Sequence, residues 1–147
     1  MNIVIVGDGK VGAALTQQLS KEGHDITVID NNAEVLTNSM ELYDIMAVQG
    51  NGASLTVQKE ANVGSSDLVI AATSADEINL LCCILAKKLG APHTIARVRN
   101  PEYAEQLIFL KEELGLSMTI NPERTSAREI FRILQFPTFI KRDSFAG

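Results

Sequence analysis

IVIVGDGKVGAAL, residues 3–15, is the stretch on which the fold turns: an apolar run that breaks at three glycines and resumes as a helix. Ile3, Val4, Ile5 and Val6 are β-branched with no polar alternation, which is the composition of a central parallel strand buried on both faces. The spacing from Gly7 to Gly12 then fits G-x-G-x-x-G. Gly7 suits a tight turn, Gly9 omits the side chain that would block a pyrophosphate, and Gly12 lets the next helix sit close to the sheet. Asp8, Lys10 and Val11 complete this turn. The free N–H groups of the helix over residues 10–22 carry the positive end of its dipole and can hold phosphate. A second strand over 26–29 ends at Asp30, the distance at which a dinucleotide fold places an acid for the adenosine ribose. A plain strand-to-helix turn, with Asp30 as an ordinary helix cap, fits the same residues without a ligand.

With 147 residues, 46% of them hydrophobic, the chain has material for one domain with a real core. A net charge of −5 with no dense Lys/Arg block argues against nucleic acid or an anionic membrane as main partner. No apolar run approaches the roughly 20 residues needed to span a bilayer, and the first strand begins too early for a signal peptide, so a soluble cytoplasmic domain is expected. Cys82 and Cys83 are adjacent within NLLCCILAKKL, neither a C-x-x-C pair nor a zinc pattern, and read as buried free thiols.

Asn31 or Asn32 can cap a helix over AEVLTNSMEL, and a third strand over 45–49 leads into Gly50-Asn51-Gly52 and a short helix over 55–61. A fourth strand over 68–73 precedes Ser74-Ala75-Asp76-Glu77, which reads as a capping box for a helix through Leu89. A fifth strand over 94–98, a helix opened by Asn100-Pro101, a sixth strand over 118–120 and a last helix opened by Asn121-Pro122 follow. Strands alternating with helices over short connections predict an α/β, three-layer Rossmann fold: a six-stranded parallel sheet of order 3-2-1-4-5-6. Ligand then belongs at the carboxyl ends of strands one and four, where the strand order reverses.

Each candidate site residue has a reading there. Asp30, with Asn31 beside it, can accept bonds from both adenosine-ribose hydroxyls, and its charge disfavours a 2′-phosphate, so NAD or ATP is expected over NADP. Asn51 and Gly52 lie on the loop beside the expected adenine site, where the Asn51 amide can read ring nitrogens and where a plain turn fits as well. Thr73 and Ser74 stand at the switch point opposite the glycines, with hydroxyls for phosphate or the second ribose; the capping box also accounts for Ser74. Arg97 and Arg99, two apart at the end of strand five, point to one face and suit bidentate phosphate binding or surface ion pairing. Asp76, Glu77 and Asn79 start a helix, where the dipole favours acids whatever the function.

With these residues placed, the chain resembles the TrkA N-terminal domain, the RCK or KTN domains that regulate potassium transporters and channels. The resemblance runs through about Leu134 and is carried by the glycine turn, Asp30, T-x-x-D-E-x-N over 73–79, Ala96-Arg97-Val98 and Asn121-Pro122-Glu123. That family usually has Asp where this chain has Asn51, and usually carries a smaller C-terminal ligand domain. The resemblance implies a cytoplasmic regulatory subunit, peripheral to the membrane through an integral-membrane potassium-transporter partner, that binds NAD or NADH, or alternatively ATP or ADP. It further implies a role for Glu123 toward a phosphate-bound cation or a neighbouring subunit, although a glutamate in a first helical turn also fits without either and no metal is otherwise expected.

The division that follows is a nucleotide-binding domain over 1–134 and an apolar tail over 135–147 leading toward a further domain. Ala127, Ile130, Phe131 and Leu134 recur at helical spacing, while Ile133, Phe136, Phe139 and Ile140 form a further apolar set that one face cannot bury, so a homodimer or larger assembly is expected. No enzyme is expected. There is no Tyr-x-x-x-Lys, serine elbow, metal cluster or histidine near the switch point, and His24 and His93 flank strand starts at the other edge. The competing reading is the cofactor-binding half of a larger NAD-dependent dehydrogenase whose catalytic domain lies beyond Gly147.

Overall fold

The computed structural model describes residues 1–114 and 118–120, with side chains through residue 110. The strands are β1 (Asn2–Val6), β2 (Asp25–Asp30), β3 (Met46–Gln49), β4 (Leu68–Ala71), β5 (His93–Arg97) and β6 (Met118–Ile120). Between them run α1 (Lys10–Lys21), α2 (Ala33–Leu42), α3 (Leu55–Glu60), α4 (Asp76–Leu89) and α5 (Pro101–Leu114). A 3-10 turn at Val63–Ser65, not foreseen from the sequence, links α3 to β4. The strands form one sheet in the order β3-β2-β1-β4-β5-β6, as expected. All the pairings are parallel.

Parallel pairing makes the central strands apolar on both faces, because each return crossing lays a helix over the sheet. Val4 and Val6 of β1 and Val69 and Ala71 of β4 join a core with Cys82, Cys83 and Ala86 of α4 and Leu107 of α5. Ile3 and Ile5 of β1 and Leu68 and Ile70 of β4 enter the opposite core with Leu15 and Leu19 of α1 and Leu36 of α2. Ile5 and Ile70 are 0% exposed, and such burial is worth about 1.5–3 kcal/mol for each side chain. Both expected thiols are buried and free. In register, Val6 pairs with Ile29 on one side and Ala71 on the other, so β1, β2 and β4 bring their carboxyl ends to one place.

Most boundaries fall within two residues of expectation, and the departures have local causes. Asn32 caps α2, its Oδ1 accepting from the N–H of Glu34 at 3.0 Å and of Val35 at 3.2 Å. Asp30 is therefore not the cap. The fourth strand stops at Ala71, short of the expected Thr73: Ala72 N–H still donates to the Val6 carbonyl at 2.8 Å, but the Asn79 side chain takes Thr73 N–H at 2.9 Å and draws the chain out of the sheet. The expected Ser74–Glu77 capping box is not formed. Ala75 occupies the N-cap of α4 without a side-chain bond, and Ser74 is exposed. The last helix and the tail, with the residues read as a dimer surface, lie outside the described residues, as does Glu123.

Candidate nucleotide-binding site

A cavity of about 390 Å³ opens at the carboxyl ends of β1 and β4. The glycine turn closes one side, through Gly7, Gly9, Lys10 and Val11. Asp30 and Asn31 come from the end of β2, Asn51 and Gly52 from the loop after β3, Thr73 and Ser74 from the loop after β4, and Arg97 from the end of β5. Val6, Ile29, Gly50 and Ala72 complete the lining and were not singled out from the sequence. They lie within one residue of the carboxyl ends of β1, β2, β3 and β4.

The glycines divide their work. Gly7 has φ +102°, a conformation that L side chains rarely adopt, and a Cβ there would also lie 3.0 Å from the Ala72 backbone. At Gly12 an added Cβ would collide with the Gly7 carbonyl oxygen, so the start of α1 packs directly on the turn. Gly9 differs. It sits at the N-cap of α1 with φ −80°, and a Cβ built on it meets nothing within 4 Å. No protein atom requires glycine there; its bareness leaves open room beside the N-terminus of α1, where anions are favoured.

Asp30 is fixed in direction. Its Oδ2 accepts from Asp8 N–H and its Oδ1 from Asn32 N–H, both at 2.8 Å, while the carboxylate remains at the cavity wall. Each oxygen keeps a lone pair for a further donor. Asn51 forms a turn through its side chain, Oδ1 accepting from Ala53 N–H at 2.9 Å, which leaves the amide NH₂ as its donor end. Arg97 Nη1 donates to the Thr73 carbonyl at 2.9 Å, tying the wall from β5 to the wall from β4.

Three expected site residues stand elsewhere. Asp8 is 4% exposed and turned toward α2, where its carboxylate accepts from Ser39 Oγ. Gly12 lies beneath the turn. Arg99 sits beyond the end of β5, so strand alternation no longer aligns it with Arg97; its N–H is held by both Asp76 oxygens at 3.0 Å, and it borders a shallow groove with Asn100 and Tyr103. Asp76 also accepts from Asn100 N–H at 2.8 Å. Its place at a helix start thus serves the β5–α5 connection, beyond any dipole effect.

Sequence reading missed Gln58 as well. It is 0% exposed, and its Nε2 donates to the carbonyls of Gly52 at 2.8 Å and Cys82 at 3.0 Å, pinning the Asn51–Gly52 loop to α4. A glutamine on a six-residue helix gives no periodic signal that would have identified it. Among the described residues no group of three or more His, Cys, Asp or Glu is placed to hold a metal ion, and no helix is long and apolar enough to cross a membrane.

Comparison with known proteins agrees with this architecture. A family model described as the TrkA-N domain matches residues 3–122. A Trk system potassium uptake protein TrkA homolog of Methanothermobacter thermautotrophicus is 37% identical over 137 residues, covering 93% of this chain and 62% of that protein. The Trk system potassium uptake protein TrkA of Haemophilus influenzae is 36% identical over 150 residues, covering 100% of this chain and 33% of that protein. The chain thus spans less than two thirds of the length of these relatives. Among solved structures, the TrkA-N domain of inner membrane protein ybaL from Escherichia coli superposes with a TM-score of 0.73 at 20% identity, covering 91% of this chain and 96% of that one. The GsuK channel bound to NAD gives 0.67 at 22% identity, covering 81% of this chain and 21% of that one. GsuK bound to ADP gives 0.67 at 21% identity, covering 82% and 31%. At these identities the structural likeness is one of fold.

Proposed function

The chain belongs to the TrkA-N domain family, and from that premise we propose that it is a regulatory domain that binds NAD or NADH, or alternatively ADP or ATP, and conveys the bound state to a membrane potassium-uptake protein. The observation that carries the reading is the pairing, in one cavity, of the bare N-terminus of α1 at Gly9 with the Asp30 carboxylate. The first suits a diphosphate and the second a ribose with free hydroxyls. These two groups are joined in every ligand named here. Asn51 NH₂ is available to an adenine, and Thr73, Ser74 and Arg97 to the distal half of the ligand. The relatives named as potassium uptake proteins supply the physiological setting, and the GsuK structures described with NAD and with ADP support both ligand classes.

The reading is of binding without turnover, in a cytoplasmic location beside the membrane. The Asp30 carboxylate at the cavity wall is held by the N–H groups of Asp8 and Asn32, an arrangement suited to accepting ribose hydroxyls. Assembly as a homodimer or larger oligomer is part of the proposal, supported by the apolar set Ile133, Phe136, Phe139 and Ile140 in the sequence, which one helix face cannot bury. Isothermal calorimetry with NAD, NADH, NADP, ATP and ADP tests the binding claim. Saturable binding of NAD(H) or of ADP and ATP is expected; no heat with any of them sinks it.

A further inference from the structure

Asp8 occupies the first variable position of the glycine turn, yet its side chain does not reach the cavity. It is 4% exposed, one carboxylate oxygen accepts from Ser39 Oγ of α2, and the other is buried without a hydrogen-bond partner. The main chain of the same residue is the donor that orients Asp30, with N···Oδ2 at 2.8 Å. The two acids are therefore locked side by side: Ser39 holds the Asp8 carboxylate behind the turn, while Asp8 N–H holds the Asp30 carboxylate at the ribose corner. A charge removed from water on most sides is weakly screened, so its field extends to Asp30, which lines the cavity. Asp30 helps to raise the pKa of Asp8, after the larger effect of burial.

We propose that Asp8 is a second specificity-determining residue, whose buried charge reinforces Asp30 in excluding ligands that carry a phosphate on the adenosine ribose. This rests on the nucleotide-binding reading above. Asp30 by itself opposes a 2′-phosphate by direct contact, and replacing it removes that contact but leaves a negative charge immediately behind the turn. A ribose with free hydroxyls is neutral and tolerates that charge. A ribose phosphate is repelled by it even where Asp30 is gone. Ser39 serves as a positioning residue, since its hydroxyl keeps the Asp8 carboxylate turned toward α2.

The test measures NAD and NADP affinities by calorimetry at one ionic strength for the wild type, Asp8→Asn, Asp30→Ser and the double variant. Asparagine keeps the shape and can still accept from Ser39 Oγ, so the fold is retained and a melting curve verifies it. The expected result is that Asp8→Asn narrows the preference for NAD over NADP by on the order of fivefold, chiefly through tighter NADP, and that the double variant narrows it further than Asp30→Ser. Because the charge is buried, the difference between wild type and Asp8→Asn should persist when the comparison is repeated at higher salt. Unchanged discrimination in Asp8→Asn, with normal NAD binding and with Asp30→Ser altering the ratio, overturns the assignment and leaves the nucleotide reading intact. Failure of the wild type to bind any adenine nucleotide overturns both.

Discussion

Asn79 Nδ2 donates to the Arg97 carbonyl at 2.9 Å, a bond from the first turns of α4 to the end of β5. The same amide donates to the Thr73 carbonyl at 3.0 Å and accepts from Thr73 N–H at 2.9 Å and Thr73 Oγ1–H at 2.7 Å. All its hydrogen-bonding capacity is thus used, in a side chain that is 0% exposed. Two loops that wall the cavity meet on one residue.

Asn79→Ala should accordingly destabilise the domain by about 3 kcal/mol, since it strands several buried backbone groups at once. Urea unfolding monitored by circular dichroism measures this. A loss below about 1 kcal/mol would mean that water replaces the amide.

The glycine turn offers a separation of folding from binding. Gly9→Val places its side chain in open space at a backbone conformation that valine accepts, so the variant should melt close to the wild type while losing at least about tenfold in nucleotide affinity. Gly12→Ala drives a methyl into the Gly7 carbonyl and should lower stability before any ligand is added. Calorimetry beside a thermal melt distinguishes the two, and full affinity in Gly9→Val would show that the cavity beside the turn does not receive the ligand.

Removing the ribose acid removes charged hydrogen bonds worth about 1.5–3 kcal/mol. Asp30→Ala should therefore weaken NAD and ADP alike, by roughly 10- to 100-fold, because both present the same adenosine ribose. Titration of each ligand reads the effect directly, and a loss confined to one of them would mean that the two bind differently.

Burial, offset in part by the Ser39 hydrogen bond and reinforced by the Asp30 charge, raises the pKa of Asp8 above its ordinary 3.8. The folded state then holds the Asp8 proton more tightly than the unfolded chain does. Its contribution to stability falls as pH rises from about 3.8 through the raised value, and above that the ionised carboxylate is a cost. Asp8→Asn should consequently be more stable than the wild type at pH 7, with the gap closing as pH falls toward 4. Denaturant midpoints of both proteins at the two pH values check the sign; a gap that widens on acidification contradicts it.

Desolvation pushes the Cys82 thiol up to about 12 and raises Cys83 well above its ordinary value. Gln58 Nε2, 3.4 Å from Cys82 Sγ, lowers the former only in part. At pH 7 the Cys82 thiolate is then on the order of one part in 10⁵, so neither thiol should react with a disulfide reagent in the native state, and both should react at once in denaturant. Rapid labelling of the folded protein would show that the core between α3 and α4 opens.

What the sequence alone determined about this protein was local in its physics. The β-branched run of β1, three glycines at fixed spacing, an acid at the end of β2, and caps such as Asn100 before Pro101 each act over a few residues, so strand order and most of the cavity wall are legible in the sequence. The packed chain decided the rest. Whether Asp8 faced ligand or α2 depended on Ser39, 31 residues away; the end of β4 depended on where α4 placed Asn79; and the turn of the chain at Arg99 depended on Asp76, 23 residues earlier. Gln58 likewise acquired its role only when Cys82, 24 residues on, was packed against it. All but the Thr73–Asn79 bond, which spans six residues, join elements remote in sequence; they form because packing takes a polar group out of water, and no periodicity or spacing encodes which partner it meets.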